Sequence, residues 1–160
     1  LCFPHRSWGP LEPFDNSFSQ ILSRNGVHTH LITDHFHYFE DGGAGYHTRY
    51  DTWEFIRGQE YDTWKAKASP PIQDYKERYS EHSYDPETKP RRVQHLINRE
   101  YMVDEEEQPT PRCITAALEF LNENRGANDW LLQLELFDPH EPFFAPERYR
   151  KQGDLSLIHI

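Results

Sequence analysis

Residues 130–137 read Trp-Leu-Leu-Gln-Leu-Glu-Leu-Phe, and Asp-Pro-His-Glu-Pro-Phe-Phe follows directly at 138–144. A short apolar run bounded in this way predicts a buried strand. Upstream, Thr110 and Pro111 are typical of a helix start, and Gly126 is typical of a helix end. Between them lies an apolar stripe at helical spacing: Ile114, Ala117, Leu118 and Leu121. The region therefore predicts a helix, then a buried strand, then a proline-flanked loop.

A second helix-to-strand unit lies near the other end of the chain. Asp15 or Ser17 can cap a helix there, and Asn25-Gly26 ends it. Residues 27–33 then alternate between apolar and polar positions, which predicts a strand. Helices that turn directly into strands are typical of α/β proteins. The apolar positions of the predicted helix are Phe18, Ile21 and Leu22.

The remaining segments are more polar. Residues 34–65 are rich in glycine and aromatic residues and predict loops, and residues 70–110 resemble a polar insertion. Within that segment a helix is predicted over 91–102, and the acidic run 104–107 predicts a solvated loop. The buried face of the predicted helix consists of Val93, Leu96, Ile97 and Tyr101.

Composition excludes some classes of function. The net charge is −10, with 27 acidic and 17 basic residues, which argues against binding to nucleic acid or to an anionic membrane. No apolar run has the length needed to span a bilayer. Cys2 and Cys113 have no metal-ligand spacing, and two cysteines do not define the redox compartment. The cellular localisation therefore stays unassigned.

His140 is the strongest candidate for chemistry. Pro139 and Pro142 restrict the backbone on both sides of it and so fix the direction of its ring. An imidazole held in this way can hydrogen-bond a developing oxyanion or protonate a leaving alkoxide near neutral pH. The alternative is a loop histidine that hydrogen-bonds a carbonyl. These residues alone leave both interpretations open.

Three other groups of residues are candidate binding sites. His28, His30, His35 and His37 suggest a metal site, but no carboxylate or cysteine stands at ligand spacing, so we do not expect metal binding there. Residues 41–45 (Asp-Gly-Gly-Ala-Gly) lack the ending of a phosphate-binding loop and predict a turn. Arg57 is the best candidate for binding an anionic substrate; the other candidates are Arg49 and Lys65.

Together these units resemble the sulfatase branch of the alkaline-phosphatase-like hydrolases. Asn-Gly-Val-His-Thr at 25–29 resembles the family's Gly-Tyr-x-Thr strand entry, and residues 137–143 resemble its His-x-Pro-Phe loop. Residues 35–43 and 46–50 resemble a bacterial subgroup of sulfatases. The resemblance covers most of 5–150. It implies that residues 1–154 are part of an alkaline-phosphatase-like three-layer αβα sandwich, incomplete in this chain.

The resemblance also implies a function. The parent protein would be a metal-dependent sulfuric ester hydrolase that uses a divalent cation, Ca²⁺ by resemblance, and a formylglycine to attack a small-molecule or glycan sulfate ester. His140 would contact the leaving-group oxygen, and His35 or His37 would take the place of the histidine in the family's Gly-Lys-Trp-His segment. The lysine of that segment is absent near 33–37. Its absence leaves room for a phosphonate or phosphodiester substrate.

The two ends of the chain carry their own predictions. Cys2-Phe3-Pro4-His5-Arg6 fits the Cys-x-Pro-x-Arg core of the formylglycine signature, but Ser7-Trp8-Gly9-Pro10 follows, so we predict that Cys2 is not the nucleophile. Residues 155–160 equal the in-frame translation of a transposase-end sequencing adapter, and we expect them to be an artefact.

These features predict that the chain is an internal fragment, without its nucleophile or metal ligands. We therefore expect it to bind no cofactor and to turn over no substrate by itself. A non-catalytic, His-rich binding module is the alternative from another class.

Overall fold

The computed structural model describes residues 9–43, 45–79, 90–140 and 144–150. The Cys2 motif, residues 141–143 of the proline-flanked loop, and the predicted adapter-derived end at 155–160 lie outside these ranges. The chain divides into two compact units, which are described separately. Unit 1 comprises residues 1–56 and 113–136, and unit 2 comprises residues 57–112 and 137–160.

Helices and parallel strands make up the described residues. The helices are α1 (Phe18–Arg24), α2 (Ile72–Arg78), α3 (Pro90–Arg99), α4 (Pro109–Glu123) and α5 (Glu147–Arg150), and the strands are β1 (His28–Thr33), β2 (Thr52–Phe55) and β3 (Trp130–Glu135). Short 3₁₀ helices lie at Phe36–Tyr38, Tyr46–Arg49 and Glu105–Glu107. The predicted α/β class is confirmed.

The three strands form one parallel sheet in unit 1, in the order β2-β1-β3. Thr33, the last residue of β1, pairs in register with Phe55 of β2 and with Glu135 of β3. The carboxyl ends of all three strands therefore lie level at one edge of the sheet. The central strand β1 is buried from Thr29 onward, as expected for a parallel strand with a neighbour on each side.

The helix and strand of the first unit are confirmed, but Phe18 and Ile21 of its apolar positions are exposed, and Ser17 precedes the helix without a side-chain cap. Helix α1 ends where the sequence predicts, and Gly26 adopts φ +84°, a left-handed conformation that glycine takes without steric cost. The Asn25 side chain donates a hydrogen bond to the carbonyl of Ile21 (2.7 Å), and the amide of Val27 donates to Leu22 (3.1 Å). These bonds satisfy carbonyls that the end of the helix leaves open.

Of the apolar stripe predicted for α4, Ala117 is buried but the three large residues are not. The large residues of the expected stripe are exposed, with 42%, 61% and 41% of their surface accessible at Ile114, Leu118 and Leu121. The helix instead buries small side chains against Ile32: Cys113, Ala116 and Ala117. Small residues let a helix backbone approach the sheet closely, so the neighbouring face, not the bulkiest one, packs inward.

Two further expectations need correction. The prediction of loops over residues 34–65 is wrong in part, because they contain β2, a mostly exposed strand of four residues whose sequence is Thr-Trp-Glu-Phe. Tyr101 was predicted on the buried face of α3, but it is 45% exposed. The helix ends at Arg99, so Tyr101 lies beyond its periodic part.

In unit 2 the other three predicted residues of α3 are buried and pack with Tyr75 of α2; they are Val93, Leu96 and Ile97. The acidic run forms a 3₁₀ helix, closed by a capping box between Asp104 and Glu107. Of the helices that the structure describes, none has the length and apolar character needed to cross a membrane.

Candidate functional site

The carboxyl end of β1 places His35 in unit 1. Its backbone amide donates to Thr33 Oγ1 (3.0 Å), which fixes the turn that leaves the strand. The neighbouring Asp34 is fully buried. The short 3₁₀ helix Phe36–Tyr38 then brings Tyr38 back toward the sheet. The turn therefore sets His35 and Tyr38 beside the end of β3.

Glu135, the last residue of β3, joins these two side chains. His35 Nδ1 lies 3.0 Å from Glu135 Oε1, and the Tyr38 hydroxyl donates to the same oxygen at 2.6 Å. A carboxylate can only accept, so Nδ1 of His35 carries the proton and the other ring nitrogen, Nε2, is the basic one. The arrangement is a histidine oriented by a carboxylate, a common device for moving protons.

Electrostatics support this assignment. Burial would raise the pKa of Glu135, but hydrogen bonds from His35 and Tyr38 outweigh it and hold the pKa below its usual value. Burial and the adjacent carboxylate raise the pKa of Tyr38 far above its ordinary value. Glu135 is thus ionised at neutral pH, while Tyr38 stays protonated and donates.

His37 is held by its own helical turn. Its Nδ1 lies 2.7 Å from Glu40 Oε2, three residues on, and its ring packs edge-on against His35 with centroids 5.4 Å apart. The structure therefore brings together the two histidines that were predicted to bind substrate. His37 is more accessible than His35, since 31% of its side chain is exposed against 13%.

The other two histidines of the proposed metal cluster lie on β1. His28 Nε2 and His30 Nδ1 both hydrogen-bond Thr52 Oγ1, at 3.0 and 2.7 Å. The ring of His30 stacks on Phe120 of α4, with centroids 4.9 Å apart. Across the described ranges, no group of three or more His, Cys, Asp or Glu side chains is placed to hold a metal ion.

Arg57 lies in unit 2, two residues after β2, and it forms a bidentate pair with Asp62. Its Nε and Nη2 donate to the two carboxylate oxygens at 2.7 Å each, and the amide of Gly58 donates to the same carboxylate at 2.8 Å. The hydrogen bonds that Arg57 donates to Asp62 raise the pKa of Arg57. An anionic substrate would therefore compete with Asp62 for this guanidinium.

His140 also lies in unit 2, where the loop after β3 is anchored through Asp138. Asp138 accepts hydrogen bonds from Gln59 Nε2 (2.6 Å) and Thr110 Oγ1 (2.8 Å). The peptide bond between Asp138 and Pro139 is cis. The half-buried ring of His140 packs on Phe137, with centroids 4.3 Å apart. Two long-range contacts thus hold the base of this loop.

Sequence reasoning missed the partners that hold these side chains. Glu135 and Gln133 were treated as part of an apolar strand, although two polar residues two positions apart share one strand face. That spacing was the available signal. Gln59, Asp62 and Thr110 carried none, because their contacts depend on the fold.

No protein-family model, curated protein or solved structure matches this chain.

Proposed function

We propose that this chain is part of the catalytic domain of a sulfatase-type hydrolase of the alkaline-phosphatase-like superfamily. Its substrate would be a small-molecule or glycan sulfate ester. The observation that supports the proposal is the parallel, in-register pairing of β1 with β3. Both site-like motifs follow strands whose carboxyl ends lie level, which is where open α/β sheets carry their chemistry.

His140 is the proposed general acid. A protonated imidazole at the proline-flanked loop would donate a proton to the alkoxide that leaves as the sulfate ester is cleaved, and would become neutral. His35 and His37 are the proposed substrate contacts. The link from Glu135 to His35 Nδ1 supports such a role, because it leaves Nε2 as the nitrogen that accepts a hydrogen bond.

Arg57 is the proposed contact for the anionic part of the substrate. Asp62 opposes that role in this structure, because it accepts the hydrogen bonds that Nε and Nη2 of Arg57 would donate to a substrate. A planar guanidinium binds tetrahedral oxyanions well only when such a pair of donors is available. The role therefore requires an exchange of Asp62 for the substrate.

The family's divalent cation and formylglycine belong to the proposal for the complete parent protein. When bound, the cation would supply positive charge to the sulfate oxygens. The described residues provide no set of side chains that could bind it. Phosphonate or phosphodiester cleavage is the alternative within the superfamily, favoured by the missing lysine near 33–37.

The test begins with the coding sequence upstream of Leu1. A Cys/Ser-x-Pro/Ala-x-Arg motif with an Asp-Asp pair further upstream is expected. The extended protein, supplied with Ca²⁺, is then expected to hydrolyse 4-nitrophenyl sulfate faster than bis(4-nitrophenyl) phosphate. With an alkyl sulfate ester, whose leaving alkoxide requires protonation, His140→Ala should lower kcat by about 10²- to 10⁴-fold, the usual contribution of a general acid.

His28→Ala is the matched control, because His28 is an exposed histidine at the opposite end of β1 from His35. It should leave kcat unchanged. Absence of the upstream motif would favour a non-catalytic histidine-rich module. Hydrolysis of either ester by the 160-residue chain alone, dependent on Ca²⁺, would contradict the assignment of the nucleophile and cation to other parts of the parent.

A further inference from the structure

Unit 1 contains a cavity of about 310 Å³ that the proposed hydrolase chemistry does not use. This volume is at the lower end of the range, roughly 300–1,000 Å³, that is typical of small-ligand sites. Apolar walls come from Leu11, Phe18 and Leu31. The polar part of the lining consists mainly of three tyrosines and two residues of β3: Tyr38, Tyr46, Tyr50, Gln133 and Glu135.

The three phenol protons are already committed to protein acceptors. Tyr38 donates to Glu135 (2.6 Å), Tyr46 donates to the carbonyl of Gly9 (3.1 Å), and Tyr50 donates to the side-chain oxygen of Gln133. A phenol has a single proton to donate. Toward a ligand in the cavity, these oxygens can therefore only accept hydrogen bonds.

Gln133 has a defined orientation. Its amide nitrogen donates to Glu135 Oε2 (3.3 Å), which identifies the atom that faces Tyr50 as the amide oxygen. Glu135 accepts from Gln133, His35 and Tyr38 and is itself acceptor-only as a carboxylate. Among the described residues that line the cavity, Glu135 is the one that carries charge.

The cavity therefore combines one negative charge, several acceptor oxygens and aromatic walls. We propose that it binds a primary ammonium group carried on a compact apolar body. An ammonium has three donors and no acceptor, which matches this lining, and aromatic faces attract cations. Asn16 and Ser17, which also line the cavity, can either donate or accept. A sulfate ester supplies acceptors only and does not match this lining, so the ligand proposed for the cavity differs from the proposed hydrolase substrate, although both sites use Glu135.

The test compares three probes with the same ring and different head groups: cyclohexylammonium, cyclohexanol and cyclohexanecarboxylate. Titration calorimetry on the 160-residue chain at pH 7 and low salt is expected to show binding of cyclohexylammonium, at least tenfold weaker binding of cyclohexanol, and none of the carboxylate. Glu135→Gln should weaken cyclohexylammonium binding at least tenfold. Glu119→Gln, an equal change of charge on the exposed face of α4, should have no effect.

Tyr46→Phe provides a second readout if Glu135→Gln does not fold by circular dichroism. It keeps the ring and removes one acceptor, so affinity for cyclohexylammonium should fall about three- to tenfold, the value of one hydrogen bond. Four results would overturn the proposal: no binding of cyclohexylammonium, equal binding of cyclohexanol, binding of the carboxylate, or unchanged affinity in both variants.

Discussion

Two histidines, half-buried His35 in unit 1 and buried His95 in unit 2, have opposite surroundings. In unit 1, His35 Nδ1 hydrogen-bonds the carboxylate of Glu135, which also accepts from Tyr38. In unit 2, His95 Nδ1 donates to the carbonyl of Glu60 (2.9 Å), and its Nε2 accepts from the guanidinium of Arg99 (3.4 Å). One ring lies beside a negative charge, and the other lies beside a positive one.

The difference separates a histidine suited to proton transfer from one that serves as structure. Burial and the charge of Arg99 lower the pKa of His95 to about 3, so its ring is neutral throughout the physiological range. The partners of His95 satisfy both nitrogens and fix α3 against the segment that contains Glu60. A buried histidine therefore does not by itself indicate a catalytic site. The charge of its partner indicates whether the ring is suited to proton transfer.

The largest expected effect on stability comes from the replacement of Arg99. Arg99 is 9% exposed, and its guanidinium hydrogen-bonds Gln108 and His95 and lies 4.0 Å from the ring centroid of Phe144. Burial lowers its pKa to about 10, so it is charged at neutral pH. Arg99→Met leaves polar groups of Gln108 and His95 without their partner and should lower the free energy of unfolding by about 2–4 kcal/mol.

Urea denaturation measures this loss. Arg91→Met, an exposed position on the same helix, serves as the control and should change the free energy of unfolding by less than about 0.5 kcal/mol. Similar losses in the two variants would mean that the contacts of Arg99 do not stabilise unit 2.

The next effect in size is at Glu135. Glu135→Gln keeps the shape of the side chain and removes the charge, so the free energy of unfolding at pH 7 should fall by about 1–2 kcal/mol. Because the pKa in the folded state lies below the ordinary value of 4.5, the stabilisation is complete above pH 4.5 and is lost as the pH falls through the lowered pKa.

The stabilities of the wild type and Glu135→Gln should therefore converge on acidification, which urea midpoints at a series of pH values would show. The difference in urea midpoint between Glu119→Gln and the wild type should stay constant over the same series of pH values. A constant gap between the wild type and Glu135→Gln would rule out the charge of Glu135 as the source of the stabilisation.

The smallest of the three effects is the pH dependence due to His95. Its folded pKa is lowered from 6.5 to about 3, so the unfolded chain binds a proton below pH 6.5 that the folded chain does not bind. Stability should decline as the pH falls, by about 1 kcal/mol between pH 6.5 and 5.5 for this group alone. His95→Gln should remove that part of the slope, whatever its effect on stability at pH 7.

Arg91→Met is the control for the slope, since Arg91 is an exposed residue of the same helix and the change leaves every histidine in place. Its free energy of unfolding should change between pH 6.5 and 5.5 as that of the wild type does. An unchanged slope in His95→Gln would contradict the neutral, structural role of His95.

The parts of the fold that were predictable are those with a local signal. The Asn25-Gly26 stop and the alternation after it marked α1 and β1, and the leucine-rich run marked β3. Strand β2 was not predicted, because its polar–apolar alternation spans only the four residues Thr52–Phe55 and lies within a glycine-rich, aromatic segment. The apolar stripe of α4 is buried only at Ala117, because close approach to the sheet favours small side chains over Ile114, Leu118 and Leu121.

The residues of the candidate site also differ in whether a local sequence signal marks them. His35, His37 and His140 were found because polar residues follow directly after predicted strands. Their partners were not found, because Glu135 lies 100 residues from His35 along the chain. No local pattern can encode a hydrogen bond over that separation.

The separation between His35 and Glu135 along the chain also affects when the sheet can form during synthesis. Parallel strands cannot be joined by a tight turn, so β1 gains its second neighbour only after β3 has been synthesised. At about 5–20 residues per second, a ribosome needs roughly 5–20 s to add the 100 residues between His35 and Glu135. During that interval the apolar residues Leu31 and Ile32 lack the strand that later covers one side of them. Strand β1, the best-buried strand of the sheet, therefore gains its second neighbour only late in synthesis.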